Sequence, residues 1–325
     1  MSDLYPGLRM GKATRDAYGE ALATLGQEHD EIVVLDADLA KSTKSYPFAK
    51  AFPDRFMNVG IQEANMVGMA GGLASAGKVP FISSFACFVI LKGFDQLRMA
   101  VAYPKLNVKI CGSHAGISVG EDGASQQSVE DISLACSLPG MVVCCPSDEF
   151  QMRAAVHAAY RHKGPVYLRS GRPKVPQLYP GELPDFQFGK AYTLREGDDA
   201  TVIATGLMTG AAVVAHDVLA REGIGLRVLD MPTIKPLDEE AVARAARETG
   251  AIVTAEEHLL HGGLGARVAQ AVAQLRPVPM EFVGLQDTYA ESGDPEALLR
   301  KYGLTADDIV GAVRRVLGRR GLART

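Results

Sequence analysis

The residues best placed to do chemistry begin with one carboxylate in an apolar, small-residue run. This is Glu63, within Asn58-Val-Gly-Ile-Gln-Glu63-Ala-Asn-Met-Val-Gly-Met-Ala-Gly-Gly-Leu-Ala-Ser-Ala-Gly77. An ionised carboxylate in such a packing layer costs on the order of several kcal/mol unless a donor or a protonatable ligand atom meets it. The residue alone leaves two readings: a buried Glu that awaits a partner, or a first-turn Glu favoured by the helix dipole. Downstream, Lys78-Val-Pro-Phe-Ile-Ser-Ser-Phe85-Ala-Cys-Phe88 reads as a short strand ending in two rings, Phe85 and Phe88. Such a pair is either core or a stacking wall, and stacking adds about 0.5–1.5 kcal/mol beyond burial. A third block, Cys111-Gly-Ser-His114-Ala-Gly-Ile-Ser-Val-Gly120-Glu-Asp122-Gly-Ala-Ser-Gln126, has the glycines and small polar residues of a loop.

The elements that position these groups alternate. Short apolar runs at 31–35, 79–82, 108–111 and 141–144 read as buried parallel strands, with helical patterns at 13–25, 62–76 and 147–161 between them. A doubly wound parallel sheet is the expected layering. The motifs cluster where strands end or helices begin, where open α/β sheets place ligands. Segment 171–185 holds four prolines and little periodicity, so a linker is expected over 173–188, dividing a domain at 1–172 from one at 189–325. Beyond it the alternation restarts, with strands at 200–204, 226–230, 251–254 and 280–283 and helices at 209–222, 238–249 and 263–275. The fold class is therefore α/β with two doubly wound sheets.

Composition excludes several partners. The chain of 325 residues is 47% hydrophobic and 22% charged, the balance of a soluble globular protein. A net charge of -4 gives no basic footprint for nucleic acid. No apolar run reaches a membrane span, and Met1-Ser-Asp-Leu-Tyr-Pro lacks the form of a signal peptide, so a cytoplasmic location is expected. Cys87, Cys111, Cys136, Cys144 and Cys145 form no Cys-x-x-Cys pair and read as reduced core residues. In Glu256-Glu-His258-Leu-Leu-His261-Gly-Gly-Leu-Gly265 the dinucleotide-binding order of glycines is not met. A tight turn and helix start are expected there, with His258 and His261 in loop and interface roles rather than as metal ligands.

The run Val59-Gly-Ile-Gln-Glu63-Ala-Asn resembles the signature of thiamine-diphosphate enzymes of the transketolase family, which has a Phe pair at the spacing of Phe85 and Phe88. The resemblance implies that Glu63 hydrogen-bonds the ring nitrogen of the cofactor's aminopyrimidine while Phe88 packs on its face. Asp38 and Ile61 complete the implied cofactor-binding set. The loop from His114 through Gly120-Glu-Asp122-Gly is similar to one in that family that normally ends in a His-Gln pair; here Gln126 stands where the second His is expected. Lys12-Ala-Thr-Arg15 resembles the family's Ala-Thr-Arg, and Asp36-Ala-Asp38-Leu-Ala-Lys-Ser42 its Ala-Asp-Leu followed by a Ser. By the same resemblance Arg15, Ser42, His114 and the Arg169 of Val166-Tyr-Leu-Arg169 bind a sugar phosphate, and guanidinium forks suit that group. Asp122 and Gln126 face the substrate, and Glu63 and His114 are the implied catalytic residues.

The resemblance also implies the fold: a pyrimidine-binding thiamine-diphosphate domain followed by a transketolase C-terminal domain with one antiparallel edge strand. Family members carry a further domain whose Gly-Asp-Gly and Asn hold the diphosphate through magnesium, and this chain has no Gly-Asp-Gly. An N-terminal partner subunit is expected to supply that half, in a heterotetramer of two chains of each kind, with no metal ligands on this chain. The implied activity is transfer of a two-carbon ketol unit from a ketose to an aldose phosphate, the cofactor carrying the carbanion chemistry. A deoxyxylulose-phosphate synthase-like or 2-oxoacid dehydrogenase β-subunit-like activity is the rival among enzymes. His114 speaks against the former, which usually has an acidic residue there, while Gln126 and Leu91 leave the sugar open. A non-catalytic structural or regulatory subunit is the rival of another class; it has no physical need for Glu63 beside Phe85 and Phe88.

Overall fold

The computed structural model describes residues 1–322. Its strands are, in the first half, Met10–Ala13 (β1), Ile32–Asp36 (β2), Phe56–Asn58 (β3), Val79–Phe85 (β4), Lys109–Ser113 (β5), Val142–Cys144 (β6), Val166–Arg169 (β7) and Lys174–Pro176 (β8). The second half adds Tyr192–Arg195 (β9), Ala200–Ala204 (β10), Leu226–Asp230 (β11), Thr233–Lys235 (β12), Ile252–Leu259 (β13) and Met280–Leu285 (β14). The alternation expected from sequence is present in both halves, and each half has its own sheet.

The larger sheet has seven strands in the order β12-β6-β7-β5-β4-β2-β3. Every residue of β2, β4, β5, β6 and β7 is buried, as in a parallel sheet covered on both faces. Side chains alternate faithfully along β2. Ile32 and Val34 pack with Tyr18, Leu22 and Met152 of helices Thr14–Glu28 and Glu149–Arg161 on one face. Val33 and Leu35 pack with Met66 and Val67 of helix Glu63–Ser75 on the other. The smaller sheet has five strands in the order β14-β13-β10-β11-β9, of which β9 runs antiparallel to β11 at the edge.

A strand exchange joins the halves. Strand β12 leaves the second half to pair antiparallel with β6, placing Thr233 opposite Cys144. The proline-rich stretch is itself tied down, since β8 pairs antiparallel with β1 and Phe186 is buried. Residues 323–325, the end of the second domain expected from sequence, lie outside the described residues.

Register then brings the motifs together. Asp36 is opposite Asn58 and Ser83, and Phe85 is opposite Ser113. The carboxyl ends of β3, β2, β4 and β5 are therefore adjacent, and the segments carrying Glu63, Ser42, Phe88 and His114 rise from one edge of the sheet. The second half buttresses the Gly120–Gly123 turn: Gln127 Nε2 donates to the Glu291 carbonyl at 3.0 Å, and Ser292 Oγ donates to the Glu121 carbonyl.

Candidate active site

Three rings form a continuous stack above β4 and β5. Phe88 lies 5.6 Å from Phe85, centroid to centroid, at an interplanar angle of 17°. Phe85 in turn lies 3.9 Å from the imidazole of His114 at 23°. Phe85 ends a buried strand, whereas Phe88 opens a π-helical turn, Phe88–Lys92, that leaves its outer face half-buried. Such turns inside helices frequently mark functional positions.

His114 occupies the left-handed region at φ 55, and Gly116 lies there at φ +83. A Cβ on Gly116 would fall 2.2 Å from the Glu257 carboxyl carbon, so glycine is required on both counts. His114 Nδ1 is 2.8 Å from Ser113 Oγ, and Nε2 is 2.9 Å from Arg15 Nη1. Burial, with Arg15, Arg172 and Lys44 nearby, pushes the imidazole down to about 3. It is neutral at physiological pH.

Arg15, in the first turn of helix Thr14–Glu28, also donates from Nη1 to the Ser42 carbonyl at 3.2 Å. Its Nε is buried with no acceptor among the described residues. Burial depresses its pKa, and neighbouring Arg172 adds to that. A cation with an unanswered donor beside a second cation is the electrostatic setting for an anion. The turn that carries Ser42 is held by the buried Asp36 carboxylate, which accepts from Leu39 N at 2.6 Å, Thr43 Oγ1 at 2.7 Å and Ser45 Oγ at 2.9 Å.

Glu63 is 2% exposed at the first position of helix Glu63–Ser75. It is thus both buried and in the first turn of a helix. Its Oε1 accepts from Ser84 Oγ at 3.3 Å, and Oε2 lies 3.5 Å from Lys92 Nζ. Ile61 stands 69% exposed beside the helix start. Asp38, at φ 65, accepts from Asn58 Nδ2 at 2.9 Å on the adjoining turn. Asp122 is exposed, 3.6 Å from Arg172 Nη1. Gln126 is half-buried, and its carbonyl accepts from Cys87 Sγ at 3.3 Å.

Arg169 is not brought to this cluster. Its Nε donates to Asp131 Oδ2 at 2.8 Å, and its Nη2 donates to Asp131 Oδ1 at 3.1 Å, the Ser128 carbonyl at 3.2 Å and the Glu257 carbonyl at 3.0 Å. Burial works to raise the Asp131 carboxyl, and the Arg169 guanidinium more than offsets it. The pair is a buried structural bridge under the loop. Arg172, three residues on, reaches the site instead, with Nη1 donating to the Val119 carbonyl and to Glu121 Oε2 at 3.2 Å. Gly171 N donates to Thr14 Oγ1 at 2.8 Å, which ties the Arg172 turn to the helix that carries Arg15.

The transketolase pyrimidine-binding domain model matches residues 10–177, and the transketolase C-terminal domain model matches residues 189–309. The chain belongs to the transketolase family. It is 44% identical to the 6-deoxy-6-sulfo-D-fructose transketolase subunit SqwH of Clostridium sp. strain MSTE9, covering 94% of this chain and 95% of that one. It is 38% identical to an apulose-4-phosphate transketolase subunit of Phocaeicola vulgatus, covering 91% of this chain and 95% of that one. A solved split gene transketolase, described as an inactive beta4 tetramer, superposes with a TM-score of 0.89 at 50% identity, over 95% of this chain and 100% of that one. The chain spans 50% of the length of the single-chain transketolases it matches. These similarities make it a C-terminal subunit of a split transketolase, a transferase of a thiamine-diphosphate-dependent family.

Further features of this transketolase chain bear on the sequence analysis. The helix start at Leu264 and Gly265 is capped from within, their backbone N–H groups each donating to the Glu256 carboxylate at 2.7 Å. That N-terminus is closed to external anions. His258 is not the loop residue expected: it lies fully buried within β13, its Nε2 accepting from Ser133 N at 3.4 Å, while His261 is exposed in the turn that follows. The five cysteines are free, and no helix among the described residues is long and apolar enough to cross a membrane. Arg172 is the site residue that the sequence reading missed. The available signal was positional: Arg169 ends the buried run of β7, whereas Arg172 follows Ser-Gly and precedes Pro.

Proposed function

We propose that this chain binds the aminopyrimidine of thiamine diphosphate between Glu63 and the Phe88–Phe85 wall, with Asp38 and Ile61 at its margin. Arg15, Ser42, His114 and Arg172 receive the phosphate of a sugar substrate, and Asp122 and Gln126 orient its hydroxyls. The supporting observation is the unbroken stack from Phe88 through Phe85 to His114, ending on Arg15 at 2.9 Å. A buried carboxylate at one end and an under-satisfied guanidinium at the other suit a protonatable ring and an anion respectively. Both named relatives act on sugars that carry an anionic group, a sulfo group in one and a phosphate in the other.

When bound, thiamine diphosphate supplies the carbanion chemistry that breaks and makes the carbon–carbon bond. Glu63 holds a proton at the pyrimidine ring nitrogen. Phe88 excludes water from that ring. His114 stays neutral and acts as an acceptor: Arg15 turning to a phosphate frees Nε2 to accept from a sugar hydroxyl. No group of three or more metal-binding side chains is present among the described residues, and the proposed magnesium ligands belong to an N-terminal partner subunit. The working assembly is a heterotetramer of two chains of each kind in the cytoplasm, transferring a ketol unit from a ketose to an aldose phosphate.

Calorimetry with thiamine diphosphate and magnesium tests the partner requirement. Full-affinity binding is expected only in the complex, and tight magnesium-dependent binding by this chain alone would overturn it.

A further inference from the structure

One charged side chain at the site has no role in this reading. Lys92 closes the π-helical turn that Phe88 opens. Its ammonium lies 3.5 Å from Glu63 Oε2 and 4.3 Å from the centre of the Phe88 ring. Those two groups are the ones the proposed function gives to the aminopyrimidine, one for its edge and one for its face. An ammonium and a flat ring cannot hold both at once.

The pair is asymmetric. Glu63 is 2% exposed and Lys92 51%, so a fixed buried anion meets a cation with an open path to water. The contacts are also loose: 3.5 Å to Lys92 and 3.3 Å to Ser84 exceed the roughly 2.7–2.9 Å of a strong charge-assisted bond. A four-carbon stem lets the ammonium move without disturbing the backbone, which a guanidinium fork or an i, i+4 bridge within one helix would not allow as freely.

We propose that Lys92 is a displaceable counterion, covering the Glu63 carboxylate and the Phe88 face in this conformation and swinging to solvent when the aminopyrimidine takes both. Lys92 thereby sets cofactor affinity without touching the reacting atoms. It stabilises the charge on Glu63 before binding, and its pairing and its cation–π contact are lost on binding. The proposal rests on the assignment of Glu63 and Phe88 to the cofactor.

The test uses the complex of the full chain with its partner and thiamine diphosphate with magnesium as the probe. Lys92→Met keeps the apolar stem and removes the charge. It is expected to lower Kd by about two- to fivefold, the range for a partly exposed ion pair, and Lys92→Arg is expected to restore the weaker binding. A readout independent of turnover is the ε-methylene resonance of Lys92, which the Phe88 ring, 4.3 Å from the ammonium, is expected to hold upfield. Saturating cofactor is expected to move it to the position of a solvated lysine. An unchanged or raised Kd in Lys92→Met, or an unmoved resonance, overturns the proposal. If wild-type complex fails to bind thiamine diphosphate at all, the cofactor reading falls and the proposal with it. Wild-type binding with no gain in Lys92→Met overturns the Lys92 role alone.

Discussion

Arg15 Nη1 lies 2.9 Å from His114 Nε2, and a guanidinium can only donate, so the imidazole accepts at Nε2 and carries its proton on Nδ1 toward Ser113 Oγ. One contact thus fixes a tautomer, a charge state and the direction of a cation. It also links the aromatic wall to the anion-binding end of the site, because the same imidazole stacks on Phe85 at 3.9 Å.

A pH dependence follows. The His114 imidazole is held down to about 3 by burial and by Arg15, Arg172 and Lys44, against about 6.5 in an unfolded chain. Between those values the unfolded state binds a proton that the folded state does not, so folding stability falls as pH drops. The contribution is about 1.4 kcal/mol per pH unit across that window. Asn tolerates the left-handed backbone at φ 55. His114→Asn is therefore expected to fold and to show a shallower acid limb, by about one proton, in urea titrations from pH 7 to 4. An identical slope in the two proteins would mean that His114 ionises freely.

Much of this site was legible in the sequence, and the limits have a physical pattern. Glu63 and the Phe85–Phe88 pair each left two readings open on their own residues, and the resemblance to the transketolase family, which also singled out His114, chose between them. The alternation of apolar runs was enough for two wound sheets. Choosing between Arg169 and Arg172 needed knowledge of Asp131, 38 residues before Arg169, which claims its guanidinium. Strand β12 is three residues long, too short for a period, and its exchange into the larger sheet depends on β6. The Lys92–Glu63 contact likewise depends on how a π-helical turn folds back over a neighbouring helix.

Glu63→Gln is expected to leave the chain folded, since the amide replaces a side chain whose contacts to Ser84 and Lys92 are long, at 3.3 and 3.5 Å. Turnover in the complex should fall by the scale of one dedicated electrostatic group, about 2–4 kcal/mol in the barrier. The direct readout is hydrogen–deuterium exchange at the thiazolium carbon of the bound cofactor. Unchanged exchange in the folded variant would make Glu63 a structural residue.

Gly116→Ala should damage the fold locally. The backbone sits at φ +83, and the new Cβ would meet the Glu257 carboxylate at 2.2–2.3 Å. That carboxylate accepts from Ser118 N at 2.6 Å and cannot retreat without leaving a buried donor unpaired. A loss of about 1–3 kcal/mol is expected for the strained conformation alone. Denaturant titration measures it, and a variant as stable as the parent would show that the loop has room to shift.

The two arginines separate by what their removal leaves behind. Arg172 is partly exposed, with a side-chain exposure of 35%, and its carboxylate neighbours Glu121 and Asp122 both reach water. Arg172→Ala should therefore fold normally and raise the Michaelis constant for a phosphorylated acceptor. The expected factor is about 10- to 150-fold, from the roughly 1.5–3 kcal/mol of a charge-assisted hydrogen bond. An unphosphorylated analogue of the same sugar should be little affected. Arg169→Ala strands the Asp131 carboxylate, which is fully buried, with only the Tyr167 hydroxyl at 2.7 Å. Breaking such a pair costs about 3–5 kcal/mol of stability, and this loss should appear in denaturation rather than as discrimination between acceptors. If Arg172→Ala weakens both acceptors equally, Arg172 holds the Gly120–Gly123 turn instead of the phosphate. If Arg169→Ala remains stable and loses the phosphorylated acceptor selectively, the assignment of the two arginines is reversed.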